Sequence, residues 1–477
     1  MYDVAVIGGG VIGGAILREL TKYKLETVLL EKESDVCMGA SKANSGIVHA
    51  GFDAIPGTNK AKFNALGSKM MKKYARNLGV KYVNNGSLVV AFSDEERTVL
   101  KNLLLRGKQN GIKGLRIIEK KTLKKLEPNI SDKAICALYA KTGAIISPYE
   151  LTIAQIGNAM DNGAELKLNF EVSKVCKNHN CFQIYSSNGE IINSKFIINA
   201  SGSECGRISR LCGDDTIKTG YRRGEYLLLD RENAGLVSHT LFFTPTEKGK
   251  GILITKTVDG NILIGPTAED IEVESNITTS AGLDSVMSKA KTMLKDIPLF
   301  NIITSFAGVR TFSLEQHDFI IENSNKVKGL INVCGIESPG LTSAPGIAKY
   351  VVSNLLPKEY TAIHNPNFIK KRKSDYYFKS LSLKKKNKII KRDASFGKIV
   401  CRCENVSEGE IRDSIRRNPR ATNLDAIKRR TRAGMGRCQS GFCQPRVAEI
   451  LADELGIPLD KIKKSTEGSY ILRGKSK

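Results

Sequence analysis

Residues 2–14 read YDVAVIGGGVIGG, and the next apolar run, TVLL at 27–30, ends on Glu31. YDVAVI has the length and content of a buried strand, the glycines form a turn, and AILRELTKY beyond them carries the 3.6-residue periodicity of a helix. Gly8, Gly10 and Gly13 satisfy G-x-G-x-x-G at the strand-to-helix junction, with Gly14 beside them. Gly8 makes the tight turn, Gly10 lets a pyrophosphate approach the backbone, and Gly13 permits close helix packing, while the helix N-terminus offers unpaired N–H groups to negative charge. Glu31, 23 residues beyond Gly8, is placed to accept hydrogen bonds from ribose hydroxyls. The context on both sides reads as a dinucleotide site. The motif alone does not separate FAD from NAD.

Outward from this unit, GASKANSGIVHAGFDAIPG at 39–57 is too long for a simple connection and is a functional candidate. Helical periodicity returns in NKAKFNALGSKMMKKYARNLG. A strand, SLVVAF, follows, and then a helix that Ser93 caps, with Glu96 completing a capping box. SPYELTIAQIGNAMDNG is a further helix, and KFIINASG at 195–202 is a second strand ending on small residues. Strands dominate from about Gly220 to Arg310 (GEYLLL, GILITK, NILIGP), with a helical insert around Leu283 to Leu294. GLINVCGIESPGLTSAPGIAKYVV again reads strand, glycine-rich turn, helix.

The expected fold is α/β, with a Rossmann-like domain (1–80, 150–215 and 320–365) interleaved with a mixed β-sheet domain (81–149 and 216–319). A basic linker (366–398), a small, mostly helical cysteine domain (399–456) and a basic C-terminal tail (457–477) complete the expectation. No internal repeat is evident.

The opening unit, KFIINASG and GIESPGLTSAPG together resemble the D-amino-acid-oxidase-like superfamily of FAD oxidoreductases, with its glutathione-reductase-like fold. SGIVHAGFDAIPG and FAGVRTF resemble its glycerol-3-phosphate oxidase and dehydrogenase branch, with L-2-hydroxyglutarate oxidases close by. The resemblance spans roughly residues 1 to 360. It implies FAD as cofactor, held by Gly8, Gly10, Gly13, Gly14, Glu31, Ala200, Gly202, Gly335, Gly340, Leu341 and Thr342. It also implies a helix starting near Leu341 whose N-terminus faces the flavin pyrimidine ring, where the reduced cofactor carries negative charge.

Oxidation of an alcohol requires a base for the hydroxyl proton, and an imidazole is matched to that task near neutrality. Of the five histidines (49, 179, 239, 317 and 364), His49 alone lies in the long loop after the first unit. The resemblance puts the histidine of this HAG run beside the flavin. It also implies Arg310 of FAGVRTF as the clamp on the substrate's anionic group, for which a planar guanidinium fork suits either phosphate or carboxylate. Lys256 in ILITKTVDG is a second cation candidate, equally readable as an exposed strand residue. Ser338 in IESPG can bond substrate or flavin, and Arg223 lines the same cavity unless it and Arg222 are surface charges. The activity implied is oxidation of sn-glycerol 3-phosphate to dihydroxyacetone phosphate. A 2-hydroxy acid such as L-2-hydroxyglutarate, an amino or imino acid, and a partner-dependent redox subunit without its own turnover stay open.

The chain has 11 cysteines, an odd and scattered set that reads as free thiols plus one metal site rather than a disulfide framework. Cys401 and Cys403 form C-x-C, and Cys438 and Cys443 form C-x4-C within GRCQSGFC. Zinc ribbons usually pair C-x2-C with C-x2-C. The arrangement resembles the bacterioferritin-associated-ferredoxin-like [2Fe-2S] domain, which implies a cluster on these four thiolates, with zinc as the lesser alternative. A two-electron flavin and a one-electron cluster on one chain point to a dehydrogenase serving an electron-acceptor or flavoprotein partner.

The formal charge of +25 is partly local: 370–392 holds eleven Lys/Arg against one acid, Asp375. A solvated linker is favoured there over a polyanion site, so no specific nucleic acid is expected, while peripheral contact with a membrane stays open. With no basic n-region or cleavage site after Met1 and no apolar run of about 18 residues, a cytoplasmic protein is expected.

Overall fold

The computed structural model describes residues 1–245, 251–374 and 376–474. Two large sheets organise the first three-quarters of it. The first runs in the order Val172–Asn178, Cys181–Ser186, Ile191–Asn199, Tyr2–Ile7, Thr27–Leu30, Glu165–Lys167, and Leu330–Cys334 joins alongside Ile191–Asn199. Tyr2–Ile7 is central and parallel to both neighbours, with Ile7 opposite Asn199 on one side and Leu30 on the other. Its alternate residues feed two cores: Val4 and Val6 face the helices, Ala5 and Ile7 the opposite layer around Phe182 and Ile208. A strand covered on both faces must be apolar throughout, which is why YDVAVI reads as a continuous run. The helix Val11–Leu20 is buried along its whole length.

The second sheet runs Glu269–Ile271, Thr219–Leu229, Ile262–Gly265, Leu253–Lys256, Thr240–Phe243, Ser87–Ala91, Cys136–Ala140, Leu115–Glu119, with Ile302–Ser313 along the other side of Thr219–Leu229. The helix Ser280–Met293 covers one face, seating Val286, Ala290 and Met293 against Ile254 and Ile264. The opposite face looks toward the first sheet. The C-terminal domain packs the helices Glu408–Arg416, Leu424–Thr431 and Gln444–Leu455 around Ile411, Ile415, Ile427 and Leu451. Ser407 and Glu410 close a reciprocal capping box at its first helix.

Several local expectations change in the folded chain. Ser93 caps its helix by accepting from Glu96 N–H, but the Glu96 carboxylate reaches one residue further back, to Phe92 N–H at 2.5 Å. The segment 366–398 is not a free solvated linker. Arg372 is buried, bonding Asp161 at 2.6 Å and the Asn418 carbonyl, and Phe378 and Phe396 pack together at 5.0 Å. Nor is 457–474 a loose tail, because Ile462 enters the cluster-domain core; residues 475–477 lie outside the described residues. Of the seven cysteines outside the C-x-C and C-x4-C set, Cys176 and Cys181 are half-buried in a hairpin and the other five are buried.

Candidate active site and cysteine centre

A cleft of about 960 Å³ lies between the two sheets. Its floor on the first sheet is the Gly8–Ile12 turn, with Ala200 to Ser203 beside it and Gly335 to Leu341 at the far end. Gly8 has φ +111°, and a Cβ there would stand 2.5 Å from the Ala200 carbonyl oxygen. A side chain cannot replace that hydrogen without moving a strand. A Cβ at Gly13 would come within 2.0 Å of the Gly8 carbonyl oxygen, and one at Gly14 within 2.8 Å of Ile156. Gly13 therefore permits helix packing, the role read for it in the motif, and Gly14 packs on Ile156; neither lines the cleft where the resemblance set them among the cofactor residues.

Glu31 is 8% exposed, accepts the Gly9 N–H at 2.6 Å and the Glu33 N–H at 3.0 Å, and burial raises its pKa despite both bonds. Ser41 accepts the Val11 N–H at 2.9 Å, so the 39–46 loop lies against the helix N-terminus. At the other end the helix Gly340–Tyr350 begins in the cleft wall. Thr342, expected at the cofactor, is fully buried behind the wall, where its hydroxyl accepts the His49 N–H at 2.9 Å and donates to the Ile47 carbonyl at 3.2 Å. These bonds tie the histidine loop to the helix and direct the imidazole inward. His49 Nε2 and Ser338 Oγ are 3.5 Å apart, and the ring lies 6.0 Å from Phe242.

Strand register decides which basic groups face this space. Arg222 and Arg310 are direct cross-strand partners, so both project to the cleft side, while Arg223 points to the other face and pairs with Glu225 and Glu269. Arg223 is thus not a cleft residue; its neighbour Arg222 is, though Asp270 already engages it at 2.5 Å. Lys256 is also displaced from its expected role. Leu253 lines the cleft, Ile254 packs under the covering helix, and Lys256, two residues on, shares Ile254's face.

Arg310 differs from the lining cations that are already engaged. Lys60 is paired with Glu337 at 2.7 Å and Arg106 donates to the Asp53 carbonyl at 2.8 Å. Arg310 donates only a long bond to the Thr267 carbonyl, 3.3 Å, and its buried Nε has no partner among the described residues. A buried unsatisfied donor is costly, which marks it as a seat for an acceptor from outside. Beside it, Tyr226 is buried, stacks on Phe306 and meets Ser45 Oγ at 3.3 Å. Burial raises the Tyr226 pKa, and Arg310 pulls it back. Facing glycines, Gly224 and Gly308, let neighbouring chain pack closely on this face: a Cβ at Gly308 would lie 2.0 Å from the Ala43 carbonyl oxygen of the histidine loop, and one at Gly224 2.7 Å from Pro266.

The four C-terminal thiols form two pairs. Cys403 Sγ and Cys438 Sγ are 3.7 Å apart, and Cys443 bonds Cys401, lowering the Cys401 pKa with help from the Gly434 and Glu404 N–H groups. A tetrahedral metal with sulfur at about 2.3 Å sets sulfurs about 3.8 Å apart, so one pair suits one metal ion. Among the described residues no three His, Cys, Asp or Glu groups converge on one point. Two pairs suit a two-iron cluster better than a single zinc.

The comparisons with known proteins agree with this geometry. Residues 3–354 match the family described as FAD dependent oxidoreductase, and residues 399–453 match the BFD-like [2Fe-2S] binding domain. The chain belongs to the FAD dependent oxidoreductase family. It is similar to a glycerol 3-phosphate dehydrogenase of Caloramator mitchellensis, 47% identical over 100% of this chain and 99% of that one. It is similar also to a glycerol 3-phosphate oxidase of Mycoplasma genitalium, 33% identical over 77% of this chain and 98% of the other. Among solved structures, the FAD-bound, dithionite-reduced L-alpha-glycerophosphate oxidase of Mycoplasma pneumoniae superposes with a TM-score of 0.73 at 30% identity, covering 78% of this chain and 98% of that one.

This family member is an FAD-dependent oxidoreductase with a [2Fe-2S] domain on the same chain. The residues present fit both groups: the glycine turn and Glu31 for the dinucleotide, the paired thiols for the cluster. Sequence reasoning missed Tyr226, Ser45, Phe242 and the facing glycines. The Arg222–Arg310 register sets Tyr226 and the two glycines on one face, and no local motif records it.

Proposed function

We propose that this protein oxidises sn-glycerol 3-phosphate to dihydroxyacetone phosphate, with electrons passed to a separate acceptor. The observation that carries the reading is Arg310, a cleft-lining arginine whose buried Nε has no partner among the described residues, with His49 and Ser338 lining the same cleft. Its guanidinium takes the substrate phosphate through two parallel N–H bonds, with Tyr226 and Ser45 beside it. Clamped there, the substrate turns its C2 hydroxyl toward His49, whose Nε2 accepts the hydroxyl proton while Ser338 steadies the oxygen. Bound FAD supplies the two-electron acceptor for the hydride that leaves C2. Phe242, Leu253 and Ile47 line the same space with apolar surface and keep water from the reacting carbon.

The proton balance closes on His49, which releases its proton to solvent between turnovers. The basic surface steers the anionic substrate toward the cleft. Cys401, Cys403, Cys438 and Cys443 hold a one-electron centre, the complement a dehydrogenase needs when its acceptor is another protein. The test is anaerobic mixing of the cluster-replete protein with glycerol 3-phosphate, and separately with L-2-hydroxyglutarate, following loss of the oxidised flavin band. Bleaching by glycerol 3-phosphate alone supports the reading. Bleaching by L-2-hydroxyglutarate alone, or by neither, overturns it.

A further inference from the structure

The segment from Glu31 to Gly46 has no helix or strand of its own, yet Glu31 to Glu33 and Met38 to Gly46 form one side of the cleft. It touches the glycine turn three times: Glu31 accepts the Gly9 N–H at 2.6 Å, the Cys37 N–H donates to the Gly9 carbonyl at 2.9 Å, and Ser41 accepts from Val11. Cys37 sits at φ 63°, a left-handed conformation that an L side chain adopts only when held there. What holds it comes from the other end of the chain.

Asp35 is 1% exposed, and both its oxygens are taken by arginines of the cysteine domain. Oδ2 accepts from Arg429 Nη2 at 2.5 Å and Arg430 Nη1 at 2.9 Å, and Oδ1 accepts from Arg430 Nη2 at 2.7 Å. Arg430 is itself oriented by the Pro419 and Ala426 carbonyls. Asn423, the cap of the same helix, reaches Ser34 at 3.4 Å. The helix Leu424–Thr431 stops at Arg432, in the left-handed region at φ 67°. Arg432 donates from Nε to Glu404, the residue that follows Cys403, at 2.9 Å. A continuous line of contacts therefore runs from the cysteine loops through this helix and Asp35 to the loop on the glycine turn.

We propose that Asp35 is a positioning residue through which the cysteine domain holds the flavin-side loop, so that a formed [2Fe-2S] centre tightens FAD retention. Metal binding to paired thiols is folding free energy for the loops that carry them. Those loops set the helix, the helix sets the two guanidinium groups, and a buried carboxylate accepts no other arrangement without leaving charge unpaired. The proposal stands apart from the substrate assignment, since it concerns retention of the cofactor and not turnover.

The experiment measures FAD affinity and release by flavin fluorescence on the full chain in four states: wild type and Asp35→Asn, each iron-replete and after anaerobic iron chelation. Visible absorption reports cluster content, and the thermal transition of flavin-free protein reports folding. Iron removal is expected to weaken FAD binding to wild type about tenfold, about 1.4 kcal/mol. Asp35→Asn, keeping its cluster, is expected to be weakened to a similar degree and to show no further loss on chelation. Should Asp35→Asn fold poorly, Arg430→Lys keeps the charge without the fork, and its loss is expected to be intermediate and equally insensitive to iron. Equal FAD affinity in replete and depleted wild type would overturn the proposal. So would an undiminished iron dependence in Asp35→Asn or in Arg430→Lys, since the coupling would then bypass the clamp.

Discussion

Replacing Arg310 by methionine removes the guanidinium and keeps an apolar stem of similar length in a half-buried position. In the native cleft its buried Nε meets no acceptor among the described residues, where Nη2 has one 3.3 Å bond, to Thr267. Most of its bonding capacity is therefore reserved for the substrate. A hydrogen bond to a charged group contributes about 1.5–3 kcal/mol, so losing two parallel bonds to phosphate costs about 3–6 kcal/mol. At about 1.4 kcal/mol per tenfold, the half-saturating glycerol 3-phosphate concentration in anaerobic flavin bleaching rises by ~10²- to 10⁴-fold. Arg310→Lys retains the charge and loses the fork, so the rise there is smaller, ~10- to 100-fold, as expected for one lost bond. Because no described residue accepts from the Nε, the thermal transition of the methionine variant stays near that of wild type. A half-saturating concentration within about threefold of wild type in Arg310→Met would refute the assignment of the phosphate to this arginine.

Three further outcomes follow from the same geometry. His49→Gln keeps the backbone bond to Thr342 and removes the base, so the rate of flavin reduction at saturating substrate falls ~10²- to 10⁴-fold with half-saturation little changed; stopped-flow absorbance separates the two. Lys256→Ala leaves half-saturation within about twofold, because the lysine shares Ile254's face and does not line the cleft; a tenfold rise would return it to the phosphate site. Burial disfavours the Asp35 carboxylate, but Arg430 and Arg429 outweigh that and hold its pKa below the usual range. A carboxylate depressed in the fold adds stability above its unfolded pKa of about 3.9 and loses it as pH falls through the folded value. The thermal midpoint of wild type should therefore drop more steeply below about pH 4 than that of Asp35→Asn, and parallel curves would show that the clamp adds nothing to stability.

Much of the fold was legible because its signals are local. The glycine turn, the apolar run YDVAVI and the position of Glu31 are each dictated by what a backbone can do within thirty residues. The C-x-C and C-x4-C thiols announced their chemistry in the same way, and their pairing in space adds only which sulfur faces which. His49, Ser338 and Arg310 were reachable through resemblance, since each sits in a short distinctive run.

What the sequence did not decide depends on register and on contacts distant in the chain. Whether Arg222 or Arg223, and whether Leu253 or Lys256, faces the cleft turns on a single residue of strand register, and adjacent side chains take opposite faces. The placement of Tyr226 and of the Gly224–Gly308 pair arises only where two strands pair across more than eighty residues. The 366–398 segment looked like a solvated linker because its lysines are many, yet a few of its residues, Arg372, Phe378 and Phe396, pin it to the fold. The clamp on Asp35 joins residues almost four hundred positions apart. Local sequence was enough for the dinucleotide turn and the set of four thiols, whose spacing lies within short runs of chain. Tertiary structure decided which charges meet, because the stability of a buried ion pair depends on where the partner arrives and not on the residues beside it.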